Sequence, residues 1–159
     1  MPKVAVIIGS RSDLPYAKEA VAVLQEMGME FELRVISAHR TPERAREYGQ
    51  TAEARGIDLF IAMAGAAAHL PGVLASWTPL PVIGVPLPAT DLNGVDALHA
   101  IVQMPAGVPV AAVAIGTPGA RNAAYLAAEM LGIKYPAVRE RYKAYRARLA
   151  EAPMEVELT

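Results

Sequence analysis

Short apolar runs alternate with amphipathic stretches along the whole chain, and this alternation is the first guide to the fold. The run at 4–8 is continuously apolar, which is typical of a strand buried on both faces of a parallel sheet. Four more runs of suitable length follow it. The pattern predicts five strands, at 4–8, 31–36, 57–63, 81–85 and 108–115.

The stretches between the strands have helical periodicity, and several begin at a proline, which a first helical turn tolerates. Thr41 is a candidate N-cap, with Pro42 as the first helical residue. The predicted helices are 14–27, 42–55, a short one ending at Trp77, 94–102, 118–131 and 136–149. Strands that alternate with helices predict an α/β fold with a parallel sheet. For this length the pattern predicts a flavodoxin-like, doubly wound sheet of order 2-1-3-4-5, here with an extra C-terminal helix.

The length of 159 residues suits one domain. We expect residues 1–133 to form an α/β catalytic domain. Residues 134–150 then form a helix that docks as part of the same domain, and 151–159 a short acidic tail.

Composition narrows the classes of function. Apolar residues make up 53% of the chain and the net charge is −1, which argues against disorder and gives nucleic acid no basic surface excess to bind. The absence of cysteine excludes disulfides, cysteine-based zinc sites and thiol catalysis. No apolar stretch has the length and character of a membrane span or signal peptide. We therefore expect a soluble, cytoplasmic protein with neither a membrane nor a nucleic-acid partner.

Polar motifs follow the predicted strands, at the sheet edge where α/β proteins bind ligands. After the first strand, Gly9 allows a tight turn and the helix N-terminus offers free N–H groups to an anion. Ser10 and Ser12 add hydroxyl donors, and Asp13 is suited to bind ribose hydroxyls. The competing interpretation is a capping segment with Ser12 or Asp13 as N-cap. The loop is neither G-x-G-x-x-G nor a Walker motif, so dinucleotide or nucleoside-triphosphate binding has no support here.

The loop after the second strand brings a titratable imidazole and a guanidinium together. His39 can give and take a proton near neutral pH, and Arg40 can donate two hydrogen bonds to a phosphate. Ser37 lies two residues before His39. The alternative interpretation is that His39 is a surface histidine at a helix start.

The stretch 63–72 after the third strand consists almost entirely of small or apolar residues and holds one polar side chain, His69. Small residues let backbone amides approach a ligand and hold a carboxylate. The alternative is a tightly packed crossover in which His69 caps or packs. Candidate ligand-contacting residues of this stretch are Ala64, Gly65, Ala66, Ala67, His69 and Leu70, with Pro71 and Trp77 as further walls.

Two other features of the sequence say less about function. His99 lies within a predicted helix and is interpreted as structural, and the three separated histidines give little support for a metal site. The last helix is basic and could touch nucleic acid or membrane, but a subunit contact through its tyrosines is the favoured interpretation. Its charged residues are Arg139, Glu140, Arg141, Lys143, Arg146 and Arg148, and the neighbouring tyrosines are Tyr135, Tyr142 and Tyr145.

Four motifs occur together, in order, between about residues 4 and 133. They are Gly9-Ser10-x-Ser12-Asp13, Ser37-Ala38-His39-Arg40-Thr41-Pro42, Ala67-Ala68-His69-Leu70-Pro71-Gly72 and Ile101-Val102-Gln103-Met104-Pro105. Together they resemble the class I N5-carboxyaminoimidazole ribonucleotide mutases of purine biosynthesis. The related class II carboxylases typically carry Lys-Gly-Pro in place of Arg40-Thr41-Pro42, and Ser-Asn-Gly in place of Ala67-Ala68-His69. Met63 and Ala66 replace two glycines of the usual class I loop, and a positive φ at position 66 would strain an alanine.

The resemblance implies that a carboxyl group moves from the exocyclic N5 to ring carbon C4 of the ribonucleotide, through decarboxylation and recarboxylation. It implies His39 as general acid–base, Asp13 at the ribose, and Arg40 with Ser37 at the phosphate. Ser10 and the amides of the small-residue loop hold the migrating carboxylate. It further implies no cofactor or metal, a homo-octamer, and an ATP-dependent synthetase that supplies the substrate. The alternatives are a class II carboxylase that uses free carbon dioxide, and a flavodoxin-like nucleotide- or flavin-binding protein.

Overall fold

A five-stranded parallel sheet forms the centre of the protein in the computed structural model, which describes residues 1–151, 153 and 154. Its order is β2-β1-β3-β4-β5, so the predicted doubly wound topology is confirmed. The strands are β1 (Lys3–Ile8), β2 (Glu30–Val35), β3 (Leu59–Gly65), β4 (Val82–Leu87) and β5 (Ala111–Ala112).

Helices cover both faces of the sheet. They are α1 (Leu14–Glu26), α2 (Pro42–Thr51), α3 (Leu70–Trp77), α4 (Val95–Val102), α5 (Thr117–Leu131) and α6 (Pro136–Ala150). The alternation of side chains along β1 divides the core: Val4, Val6 and Ile8 pack with α1 and α5, whereas Ala5 and Ile7 pack with α2, α3 and α4. Both sets are fully buried, which explains why the sequence of this strand is continuously apolar.

Two predicted strands differ from expectation. The fifth was expected at 108–115, but only two residues pair with β4, because Pro109 on this strand and Pro86 on β4 have no N–H to donate. The second strand is at the sheet edge, where it pairs only with β1 and leaves Arg34 and Val35 exposed.

The helix expected at 42–55 ends at Thr51 and is followed by a short 3₁₀ turn, Glu53–Arg55. Gly56 then adopts a left-handed conformation that terminates the segment. Thr41 precedes the helix as predicted, but its hydroxyl donates to the Ser37 carbonyl at 2.9 Å and does not cap the helix.

The C-terminal helix α6 packs against its own chain. Tyr145 stacks on Tyr125 of α5 with ring centroids 4.3 Å apart, and Arg148 pairs with Glu26 of α1 at 2.7 Å. Within the described residues, no helix is long and apolar enough to cross a membrane. Of the predicted tail, residues 152 and 155–159 lie outside the described residues.

Candidate active site

A cavity of about 350 Å³ opens at the carboxyl ends of β1 and β3, beside the loop that follows β2. This is the sheet edge at which the polar motifs were predicted to meet. The lining residues are Gly9, Ser10, Ser12, Asp13, Ser37, Ala38, His39, Arg40, Ala64, Gly65, Ala66, Ala68, His69, Leu70 and Ala89.

Three predicted wall residues do not line this cavity: Ala67, Pro71 and Trp77. Ala67 is exposed at the tip of the turn after β3, and Ala68 lines the wall in its place. Trp77 lies at the far end of α3, where its Cβ faces Gly49 of α2. Of the lining residues that the prediction missed, only Ala89 lies outside the quoted motifs. Its position just after β4, the neighbour of β3, is the signal that could have identified it.

The first loop both caps a helical turn and lines the cavity. Ser10 caps the 3₁₀ turn Arg11–Asp13: its hydroxyl oxygen accepts a hydrogen bond from the Ser12 N–H at 3.3 Å. Asp13 holds the predicted N-cap position of α1, but its side chain makes no capping hydrogen bond to that helix. The Asp13 carboxylate completes the capping box by accepting from the Ser10 N–H at 3.2 Å. Burial raises the pKa of Asp13, and this hydrogen bond opposes the shift.

The second loop is a tight turn that places His39 over the cavity. The Ser37 hydroxyl accepts from the Arg40 N–H at 3.1 Å, and the Ser37 carbonyl accepts from the Thr41 N–H at 2.9 Å. The Ile36 N–H donates to the Ile8 carbonyl, so the turn starts from a position fixed by β1. These bonds hold His39 between the loops that follow β1 and β3.

His39 and His69 are in direct contact across the cavity. His39 Nε2 and His69 Nδ1 are 2.5 Å apart, and the rings meet almost at right angles, with centroids separated by 4.7 Å. In such a contact one nitrogen donates and the other accepts, so each ring determines which nitrogen of the other carries a proton. His39 is thus in contact with a side chain of the loop that follows β3, and His69 also holds the N-cap position of α3, without a capping hydrogen bond from its side chain.

The third loop has a strained backbone. The Ala68 N–H donates to the Gly65 carbonyl at 3.0 Å and closes a turn, within which Ala66 has φ of 53°; Ala68 itself has φ of 42°. Such left-handed values favour glycine, because the alanine Cβ crowds the backbone. Ala66 therefore has the positive φ at which an alanine is strained.

Replacing Ala66 by Gly is expected to raise the free energy of unfolding by up to about 1.5 kcal/mol. Relief of left-handed strain contributes about 1–2 kcal/mol, and the greater freedom of glycine in the unfolded chain offsets about 0.4–1 kcal/mol. Ala67 is the matched control, because it is exposed in the same turn and has no positive φ. Ala67→Gly should lower stability by about 0.4–1 kcal/mol in urea unfolding. Equal destabilisation by both substitutions would show that Ala66 is not strained.

The remaining histidine is separate from the site. His99 is exposed on α4 and does not line the cavity. In residues 1–151, 153 and 154, no three His, Asp or Glu side chains are grouped closely enough to hold a metal ion.

The sequence that forms this cavity is similar to those of known proteins. The sequence model of the family described as AIR carboxylase matches residues 3–152. The N5-carboxyaminoimidazole ribonucleotide mutase of Pyrococcus abyssi is 60% identical over 146 residues, covering 92% of this chain and 83% of that protein. The enzyme of the same name from Thermotoga maritima is 54% identical, over 98% of this chain and 90% of its own.

The fold matches a solved structure as well. The crystal structure of Treponema denticola PurE superposes with a TM-score of 0.84 at 28% identity, covering 95% of this chain and 93% of the other. The family match spans every loop that lines the cavity. On these findings, this chain belongs to the AIR carboxylase family.

Proposed function

We propose that this protein is a mutase of purine biosynthesis, which converts N5-carboxyaminoimidazole ribonucleotide into 4-carboxyaminoimidazole ribonucleotide. The relatives that bear this name match nearly the whole chain, and Arg40-Thr41-Pro42 follows the class I pattern. The observation that carries the proposal is the His39–His69 contact in a cavity that has polar side chains on one wall and small or apolar residues on another. A histidine in such a cavity can exchange a proton with a substrate that is held against the small-residue wall.

His39 is the general acid–base in this proposal. Protonated His39 donates to N5 as the N–C bond to the carboxylate breaks, which releases carbon dioxide and the bound aminoimidazole ribonucleotide. C4 then attacks carbon dioxide to form the C–C bond, and neutral His39 removes the C4 proton. The two transfers restore the starting protonation state, so one imidazole serves both. His69 acts through its contact, by orienting the His39 ring and selecting the nitrogen that carries the proton.

The other lining residues hold the substrate. The Ser10 oxygen already accepts from both the N–H and the hydroxyl of Ser12, so its own hydrogen is available to donate to the migrating carboxylate. Asp13 binds the ribose hydroxyls, and Arg40, with Ser37, binds the phosphate. Carbon dioxide stays against the apolar wall made by the small-residue loop and Leu70.

The proposal also covers the oligomeric state of the protein and the source of its substrate. We infer a homo-octamer, supported by apolar side chains that α4 and the residues before it leave exposed: Leu92 at 62%, Val95 at 49% and Val102 at 50%. Native mass spectrometry should then give eight times the 16.9 kDa chain, and a monomer at micromolar concentration would contradict the inference. The substrate comes from an ATP-dependent synthetase that carboxylates N5.

The reaction is tested with freshly prepared N5-carboxyaminoimidazole ribonucleotide, in the presence of chelator and without ATP or added bicarbonate. The expected result is the C4-carboxylated product. Product formed only from aminoimidazole ribonucleotide under high carbon dioxide would assign the protein to the carboxylases instead. No product in either assay would refute both activities.

Flavin binding has no structural support, because the cavity lining contains no Phe, Tyr or Trp to stack on the ring.

A further inference from the structure

The loop between β4 and α4, residues 88–94, contributes Ala89 to the wall of the candidate active site. The Ala89 N–H donates to the Leu87 carbonyl at 3.0 Å, so the end of β4 holds this residue from one side. Gly65 faces it from β3: a Cβ at position 65 would overlap the Ala89 Cβ, so the two segments approach as closely as glycine allows. The position of Ala89 therefore determines how closely the walls that follow β3 and β4 meet.

Thr90 holds the other side of Ala89 through three hydrogen bonds. Its hydroxyl donates to the Asp96 carboxylate at 2.7 Å and accepts from the Leu92 N–H at 3.1 Å, while its carbonyl accepts from the Asn93 N–H at 3.0 Å. Two of these bonds stay within the loop, whereas the bond to Asp96 joins the loop to α4. It is a charge-assisted bond, which makes it one of the stronger kinds.

Asp96 is a fixed point for this bond. It lies in the first turn of α4, a helix that Ala97 and Ile101 anchor in the core. A carboxylate is favourable there, because a helix N-terminus carries partial positive charge. Its second oxygen, Oδ1, is buried and has no hydrogen-bond partner among the described residues. Loss of the Thr90 hydroxyl would then remove the hydrogen bond that holds the carboxylate to the loop.

We propose that Thr90 and Asp96 are positioning residues, which hold Ala89 against Gly65 and so keep the carbon dioxide of the proposed reaction inside the cavity. This inference rests on the proposed function, because it concerns the escape of that intermediate. With the bond in place, carbon dioxide stays beside the aminoimidazole ribonucleotide until C4 attacks it. Without the bond, Ala89 moves away from the loop after β3, and carbon dioxide leaves before the C–C bond forms. Thr90 and Asp96 act through Ala89, since neither lines the cavity.

The ratio of aminoimidazole ribonucleotide to C4-carboxylated product, both formed from N5-carboxyaminoimidazole ribonucleotide, measures this escape. A blank without protein corrects for spontaneous decarboxylation. In T90V, which keeps the shape of threonine without its hydroxyl, the ratio should rise about 10- to 100-fold, as for a wall displaced by up to about 1 Å. T90S keeps the hydroxyl and should restore the wild-type ratio. D96A should match T90V, whereas D96N should lie between T90S and T90V, because its amide oxygen can still accept from Thr90.

Thr78→Val is the matched control. The Thr78 hydroxyl accepts from the Leu80 N–H at 3.2 Å, as that of Thr90 does from Leu92, but this turn precedes β4 and does not line the cavity. Because Thr78 is buried, T78V should lower the midpoint of thermal unfolding at least as much as T90V does. The product ratio of T78V should nevertheless equal that of the wild type. An equal rise of the ratio in both variants would show general destabilisation and overturn the proposal.

A measurement without turnover separates this inference from the proposed function. In hydrogen exchange followed by NMR, the amides of Ala89 and Asn93, which do not bond to the Thr90 hydroxyl, should exchange faster in T90V than in the wild type and in T90S. Wild-type exchange and a wild-type product ratio in T90V overturn the inference even if the enzyme turns over. Faster exchange in T90V of a protein that forms no C4-carboxylated product would support the positioning of Ala89 and refute the reaction.

Discussion

The His39→Asn variant is expected to lose turnover by about 10²- to 10⁴-fold while it keeps its fold and its affinity for the ribonucleotide. Asparagine preserves some hydrogen-bonding capacity but cannot take up or release a proton at neutral pH. In the proposed reaction the same group protonates N5 and deprotonates C4, so both halves slow together. The loss should appear in kcat, measured by direct observation of the C4-carboxylated product.

His99→Asn is the matched control for this variant. His99 is also exposed, but it lies on α4 outside the cavity, so its replacement should leave turnover within about twofold of the wild type. The His39 side chain is exposed as well, so its loss should change the midpoint of thermal unfolding little. Near-wild-type kcat in His39→Asn would contradict the catalytic assignment, whatever the family membership.

The fold was predictable from the sequence wherever the hydrophobic pattern of a segment matches the burial of that segment in the sheet. The apolar run of β1 predicted a doubly covered strand because both faces are buried, and alternation of strands with helices predicted the sheet order. The fifth strand was predicted, but its shortness was not. Pro109 and Pro86 lack the N–H groups that would extend its pairing with β4, and the hydrophobic pattern does not reveal missing donors. The exposure of Arg34 and Val35 at the end of β2 follows from the position of this strand at the edge, which depends on the assembled sheet.

The location of the site was predictable because parallel strands bring the loops at their carboxyl ends to one edge. What could not be predicted is contact between loops. The His39–His69 contact depends on the turn at Ser37 and on the strained backbone at Ala66 and Ala68, which no single motif specifies. Whether a small residue faces the ligand or solvent, as for Ala68 and Ala67, depends on the same backbone angles.

A methyl group at position 65 is expected to damage both stability and activity. The Cβ of an alanine at Gly65 would overlap the Cβ of Ala89 and come within 3.2 Å of the Leu87 carbonyl oxygen. Gly65 ends β3 and Ala89 follows β4, so relief of the overlap must separate two walls of the cavity. Overpacking of this kind costs about 1–3 kcal/mol. Displacement of a cavity wall by about 1 Å should lower kcat/KM of the proposed reaction about 100-fold.

Two further variants make the cause of this loss measurable. Gly9 lines the same cavity, but an added Cβ there would meet nothing within 4 Å, so Gly9→Ala should leave the midpoint of unfolding close to that of the wild type. In the double variant Gly65→Ala/Ala89→Gly the overlapping methyl is removed from the opposite wall. That variant should recover most of the lost stability and kcat/KM, which a double-mutant cycle expresses as a coupling energy of about 1–3 kcal/mol. Failure to recover would show that the walls are not coupled through this contact, and that the spacing of β3 and β4 loops does not limit the reaction.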